Sequence, residues 1–204
     1  EKTFHAAAAT LSAARKKAAA QLDKTVNGEL APLKLERAKF STEIVSDAEN
    51  AAADGIDRVE FWVQTNPGTR PGPLMKVASG GELARFMLAL KVALADRGSA
   101  PTLVFDEIDT GVGGAVADAI GQRLSRLASR VQVLAVTHAP QVAARASDHF
   151  QIAKGVADRG KRVATRITQL LDEARREEIA RMLSGATITE EARAAANRLL
   201  QGAG

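Results

Sequence analysis

The chain has 204 residues, of which 46% are hydrophobic, enough for one domain with a buried core and an additional segment. It contains no cysteine, which excludes disulfides and thiolate metal sites. No apolar run approaches the roughly 20 residues of a membrane helix, and the N-terminus lacks the order of a signal peptide. We expect a soluble protein without a membrane partner, and the net charge of +4 is compatible with a polyanionic ligand.

The first segment has the pattern of a long helix. Residues 2–27 are rich in Ala, Lys, Arg and Gln, and their apolar side chains form one narrow stripe at three- to four-residue spacing. Such a stripe is too thin for a globular core but adequate for the seam of a coiled coil. Gly28 and Pro32 mark the predicted end of the helix. Because Glu1 already has helical character and is not a methionine, we expect a piece of a longer chain.

Residues 38–48 and 56–65 alternate apolar and polar side chains, which is typical of half-buried strands. Asn66-Pro67-Gly68 then marks an exposed loop. These segments predict a small antiparallel layer.

From Ser79 onwards, helices alternate with short and wholly apolar strands. Strands buried on both faces and separated by helices are typical of an α/β fold with a parallel sheet and flanking helices. A hairpin and two helices close the chain. The predicted elements are helix 80–96, strand 102–106, helix 115–128, strand 131–136, the hairpin 149–154 with 162–169, and helices 172–183 and 188–201.

Two adjacent carboxylates end the first apolar strand. Asp106 and Glu107 follow Thr-Leu-Val-Phe, which is the Walker B arrangement. Asp106 would hold Mg²⁺, and Glu107 would orient or deprotonate an attacking water. A strand end capped by solvated acids has the same pattern, so the pair alone does not decide between the two.

The second apolar strand ends in Thr137-His138. A histidine at this edge of the sheet can hydrogen-bond a terminal phosphate. A lone histidine is more often a structural residue whose hydrogen bonds are satisfied, so the interpretation of His138 depends on the neighbouring motifs.

That context comes from the segment before the first of these helices. Ser79 and Glu82 predict a capping box, and Gly80 and Gly81 leave the first N–H groups of the helix unobstructed at its positive end. These groups form a ready site for an anion. A well-capped helix without a ligand has the same pattern.

Together, Ala-Ser-Gly-Gly-Glu, Leu-Val-Phe-Asp-Glu and Val-Thr-His resemble the signature motif, Walker B motif and switch histidine of ABC-family ATPases. Asp109 resembles the aspartate of the D-loop. From about Gly55 onwards the amino-acid sequence is similar to that of the RecN family, the SMC-like ATPases of bacterial double-strand-break repair. Gly113 departs from that pattern, which has a serine there.

The phosphate-binding Walker A loop has one near match, at 155–161, which we reject. Arg162 replaces the hydroxyl residue that binds Mg²⁺, and the stretch joins two strands of a predicted hairpin. The same hairpin carries a group of basic residues, which either contacts DNA phosphates or is a solvated turn: Lys154, Arg159, Lys161, Arg162 and Arg166. We call this group the basic finger.

The resemblance implies that Walker A comes from the N-terminal half of the same head. Residues 1–32 would then be the end of a coiled-coil arm, and 33–204 the C-terminal half of an ABC-type head. Two heads would sandwich ATP and Mg²⁺ and form a homodimer, in which Asp106, Glu107 and His138 face one nucleotide. Ser79 and Gly81 would press on the terminal phosphate of the nucleotide of the partner head. Gly80, Glu82 and Asp109 complete the expected nucleotide-binding residues.

The family resemblance implies an ATP-hydrolysing protein of DNA repair and recombination, cytoplasmic and associated with the nucleoid, which binds or tethers broken DNA. The alternative is a structural DNA-binding, chromosome-organising module in which nucleotide binding is incidental. A transporter ATPase fits less well, because transporters carry Walker A in the same continuous chain.

Overall fold

The computed structural model describes residues 2–95, 100–157, 162–185 and 187–202. Within these ranges, no helix combines the length and the apolar character that crossing a bilayer requires.

The predicted helices and strands occur in the expected order, and short elements that were not predicted lie at 72–73, 74–77 and 140–144. The α-helices are α1 (Lys2–Leu30), α2 (Leu74–Val77), α3 (Gly80–Ala93), α4 (Gly114–Ala128), α5 (Pro140–Ala144), α6 (Asp172–Ser184) and α7 (Glu190–Gln201). The strands are β1 (Lys39–Ser46), β2 (Asp57–Gln64), β3 (Gly72–Pro73), β4 (Thr102–Phe105), β5 (Gln132–Ala135), β6 (His149–Ala157) and β7 (Arg162–Leu170).

The predicted antiparallel layer is confirmed and consists of β1, β2 and the short β3. Phe40 of β1 pairs with Val63 of β2, and both side chains are buried. The Asp57 carboxylate joins α1 to this sheet, since it accepts hydrogen bonds from Ser46 Oγ at 2.7 Å and from Ser12 Oγ at 2.8 Å. These donors hold the pKa of Asp57 below its usual range.

Helix α1 is longer than predicted. It continues through Gly28 to Leu30, because Gly28 does not adopt the positive φ that ends helices at glycine. The end of α1 is tied to α4 by one carboxylate. Glu29 pairs with Arg123 Nε at 2.7 Å and with Arg126 Nη2 at 2.8 Å.

Strands β4 and β5 form the predicted parallel pair, in which Val104 lies beside Leu134. Phe105 and its neighbours on the inner face join the main core, which also includes residues of α1, β1, α3 and α4. The outer face is open: Val104 is 66% exposed, Leu134 50% and Val136 54%. The expectation that both faces are buried is therefore wrong, because in the described part of the chain apolar packing covers only one of them.

The hairpin of β6 and β7 and the two last helices are confirmed, with the antiparallel register Ile152 opposite Ile167. A second small core lies between α5, α6 and α7 and contains Ile179 and several alanines. Gly121 lets α4 and α5 approach closely, because a Cβ there would lie 3.1 Å from the carbonyl oxygen of Gln141.

Candidate functional site

The start of α3 is the predicted capping box. Both the N–H and the hydroxyl of Ser79 donate to Glu82 Oε2, at 3.0 and 2.7 Å. These two bonds hold the pKa of Glu82 below its usual range. A Cβ at Gly80 would have open space around it, so the first turn of α3 is accessible from outside. This geometry suits an anion at the positive end of the helix dipole.

The end of β4 presents the two predicted carboxylates. The side chains of Asp106 and Glu107 are exposed, whereas the next residue, Ile108, is fully buried. Glu107 has a φ of +56°, in the left-handed region that costs a residue with a Cβ about 1–2 kcal/mol. Strained backbone of this kind concentrates at functional sites. The turn that follows is closed by a 3.2 Å hydrogen bond from Thr110 N to the Glu107 carbonyl.

Asp109 joins this turn to the end of β5. Its side chain is 1% exposed, and its Oδ2 atom accepts hydrogen bonds from Thr137 Oγ1 at 2.5 Å, His138 N at 3.1 Å and Ala139 N at 3.0 Å. The ends of β4 and β5 are therefore held together by one carboxylate. Its second oxygen, Oδ1, is buried without a hydrogen-bond partner among the described residues.

The predicted switch histidine lies at the same edge. The side chain of His138 is 71% exposed, and its Nδ1 lies 3.5 Å from Asp109 Oδ2. A phosphate at this edge is thus accessible to the imidazole. The role of Thr137 as a partner of Asp109 was not predicted, although a hydroxyl beside a strand-end histidine is visible in the sequence.

The start of α3 also meets the turn after β4. The position of a Gly81 Cβ lies 3.5 Å from the carbonyl oxygen of Thr110 and 3.3 Å from Arg85 Nη1. Three of the predicted segments are therefore linked in space: α3 contacts the turn, and Asp109 in that turn binds the loop of His138. Arg85 was missed by sequence reasoning, and the only signal was a charged residue beside the apolar stripe of α3.

The described part of the rejected Walker A match belongs to the hairpin. Gly155 belongs to β6, and β6 pairs with β7 as a hairpin. Residues 158–161, which include Arg159 and Lys161, lie outside the described residues. Lys154 and Arg166 of the basic finger are exposed on neighbouring strands.

Carboxylate oxygens at the site fit a magnesium ion. No group of three or more His, Cys, Asp or Glu side chains with metal-binding geometry occurs in the described ranges. Magnesium in phosphate sites usually takes only one or two carboxylates, together with phosphate oxygens and water. The exposed Asp106 carboxylate at the end of β4 meets this requirement.

No protein-family model matches the chain. The chain is 44% identical to the DNA repair protein RecN of Rickettsia conorii over 98% of its length, and 45% identical to RecN of Xylella fastidiosa over 96%. It spans only 36% and 35% of the lengths of these two proteins.

A solved structure shares the fold. The Smc head domain with a coiled coil and joint from Pyrococcus yayanosii matches 81% of the chain with a TM-score of 0.58, at 19% identity. The match covers 29% of that structure. The predicted fold class, an SMC-like head with a parallel sheet, flanking helices and a small antiparallel layer, is thereby confirmed.

Proposed function

Because this chain is a homologue of the RecN proteins and matches about a third of their length, we propose that it is the C-terminal half of an SMC-type ATPase head in DNA repair. The observation that carries this proposal is the edge of the β4–β5 sheet. There, Asp106 and Glu107 stand beside the loop of His138, joined to it by Asp109.

In the proposed head, each side chain has a separate task. Asp106 is the magnesium ligand, and a bound Mg²⁺ supplies charge neutralisation on the phosphate oxygens. Glu107 orients the attacking water and accepts its proton, since its carboxylate is exposed directly after the strand. His138 donates a hydrogen bond to the terminal phosphate.

The start of α3 binds the nucleotide of a second head. The N–H groups of Gly80 and Gly81 bind the terminal phosphate of a nucleotide held by the partner head, and the hydroxyl of Ser79 joins them by turning from Glu82 to the phosphate. ATP then joins two heads, and hydrolysis removes these contacts so that the heads separate. Asp109 positions the switch loop and supports the same interface.

Exposed apolar surface supports the proposal that another polypeptide segment packs against this chain. Val104, Leu134 and Val136 are exposed on one face of the sheet, and the cross-strand pair Ile152 and Ile167 is 62% and 66% exposed on the hairpin. Apolar sheet faces of this kind are normally covered. We propose that the N-terminal half of the head, with Walker A, packs there, and that α1 is the end of a coiled-coil arm.

The half-site proposal is tested by measuring ATP binding. The chain alone should bind ATP weakly or not at all, and the chain with a separately produced Walker A half should bind it tightly. The control is a Walker A half whose phosphate-binding lysine is replaced by alanine. Tight ATP binding by this chain alone would contradict the proposal.

Exposed basic residues favour a second candidate function, a DNA-binding module. Lys154 and Arg166 project from neighbouring strands of the hairpin. If this function is correct, the chain binds DNA without nucleotide, with an affinity that falls steeply as salt rises. The double substitution Lys154→Glu and Arg166→Glu should then weaken binding, and unchanged affinity would contradict a role for the hairpin.

A further inference from the structure

Arg85 is a buried cation with two donors that make no hydrogen bond within the described part of the chain. Its residue is 7% exposed, and among the described residues neither Nε nor Nη1 has a hydrogen-bond partner. Glu82, one turn earlier on α3, attracts the guanidinium electrostatically but accepts hydrogen bonds from the two donors of Ser79 and not from Nε or Nη1 of Arg85. Burial lowers the pKa of the guanidinium, although arginine stays charged in proteins.

This arrangement is unfavourable as it stands. Buried donors are almost always satisfied in native proteins, and an unpaired buried charge is among the costliest exceptions. A buried donor that stays unbonded can mark a functional role. The neighbours of Arg85 indicate which group would be its hydrogen-bond partner in such a role.

A main-chain acceptor in the turn after β4 lies on the other side of Gly81. Arg85 Nη1 and the Thr110 carbonyl oxygen both contact the place that a Gly81 Cβ would fill, at 3.3 and 3.5 Å. The absence of a side chain at Gly81 keeps the space between them open. A small movement of the turn towards α3 would bring the carbonyl to the free N–H groups.

We propose that Arg85 is a positioning residue for ATP hydrolysis, which donates to the Thr110 carbonyl when two heads close on nucleotide. This bond joins the phosphate-facing start of α3 to the turn that carries Asp106 and Glu107. Within one chain, the start of α3 contacts the nucleotide of the partner head, and Glu107 activates water at the chain's own nucleotide. The Arg85 bond links these two sites. The inference rests on the proposed ATPase function.

The test uses the complete head, with the Walker A half present, and compares Arg85→Met with Arg85→Lys. Methionine keeps the apolar stem but removes the unpaired charge, so the melting temperature should stay the same or rise. The kcat for ATP should fall at least about tenfold, because orientation in the closed state is lost, while KM changes little. Lysine should restore part of kcat, since it keeps the charge without the guanidinium fork.

Lys91→Met, on the same helix, is the control for loss of a positive charge. A melting temperature that falls together with activity in Arg85→Met would overturn the proposal in favour of a purely structural role. An unchanged kcat, or no recovery with lysine, would also overturn it. If the wild-type head does not hydrolyse ATP at all, the proposed function fails and this inference fails with it.

Discussion

One oxygen of Asp109 accepts hydrogen bonds from one hydroxyl and two main-chain N–H groups. These hydrogen bonds fix the loop after β5, so the carboxylate of Asp109 has a structural role in this loop. Asp106, only three residues earlier, is exposed. The two aspartates of the same turn therefore have different physical roles.

Asp109→Ala should destabilise the chain by about 2–4 kcal/mol, because Thr137 Oγ1, His138 N and Ala139 N lose their acceptor. Asp106→Ala is the matched control and should change the free energy of unfolding by less than about 0.5 kcal/mol. Urea denaturation of both variants measures the difference. Equal losses would show that the contacts of Asp109 do not stabilise the fold.

Glu107→Gln should lower ATP turnover of the complete head on the order of 10²–10⁴-fold, because an amide cannot accept the proton of the attacking water. The substitution keeps the size of the side chain, so nucleotide binding should persist and the ATP-held dimer should accumulate. Steady-state hydrolysis and size-exclusion chromatography with ATP check the two effects. Normal turnover would show that Glu107 is not the base.

At the scale of elements, α4 is the helix through which the site meets the rest of the molecule. It begins directly after the turn of Asp109, contacts α5 at Gly121, and holds the end of α1 through Arg123 and Arg126. Close packing at Gly121 keeps α4 and α5 in register. The positions of the two strand-end loops therefore depend on it.

Gly121→Ala should destabilise the chain by about 1–3 kcal/mol, since the new Cβ would lie 3.1 Å from the Gln141 carbonyl oxygen and 3.3 Å from Val142 Cα. Backbone atoms cannot rotate away as a side chain can. Gly28→Ala, in the open interior of α1, should instead stabilise by about 0.5–1 kcal/mol. Thermal unfolding of both variants is the measurement, and opposite signs are expected.

At the scale of the whole molecule, the sheet is covered on one face and open on the other. Val104 and Leu134 are neighbours on the open face, and both would be buried by a further segment. Their exposure and the short span of the chain relative to the RecN proteins support the same conclusion. Both observations agree with the proposal that a separate Walker A half packs on this face.

Leu134→Gln should leave the stability of the chain within about 0.5 kcal/mol, because the side chain is already 50% exposed. Its affinity for the Walker A half should fall about tenfold or more, since burial of a leucine contributes about 1.5–3 kcal/mol. Val45→Thr, at an exposed site on β1, is the control and should leave affinity unchanged. Isothermal titration calorimetry of the two halves measures the affinity. Equal binding by both variants would contradict the proposal that the Walker A half packs on the face of Val104 and Leu134.

The order of helices and strands was predictable, because the periodicity of apolar residues depends on local geometry. The capping box of Ser79 and Glu82 was predictable for the same reason, since its partners lie three residues apart. The paired acids after β4 were visible as a motif. The resemblance of the motifs to a known family supplied their proposed chemistry.

Only the tertiary structure decided which groups meet across elements. The three donors of Asp109 lie 28 to 30 residues away, and the close approach of Gly81 to the Thr110 carbonyl depends on the way α3 packs. The exposure of Val104 and Leu134 could not be predicted either, because an apolar strand has the same sequence pattern whether this chain or another one covers it. Local pattern determines elements, and long-range packing determines their partners.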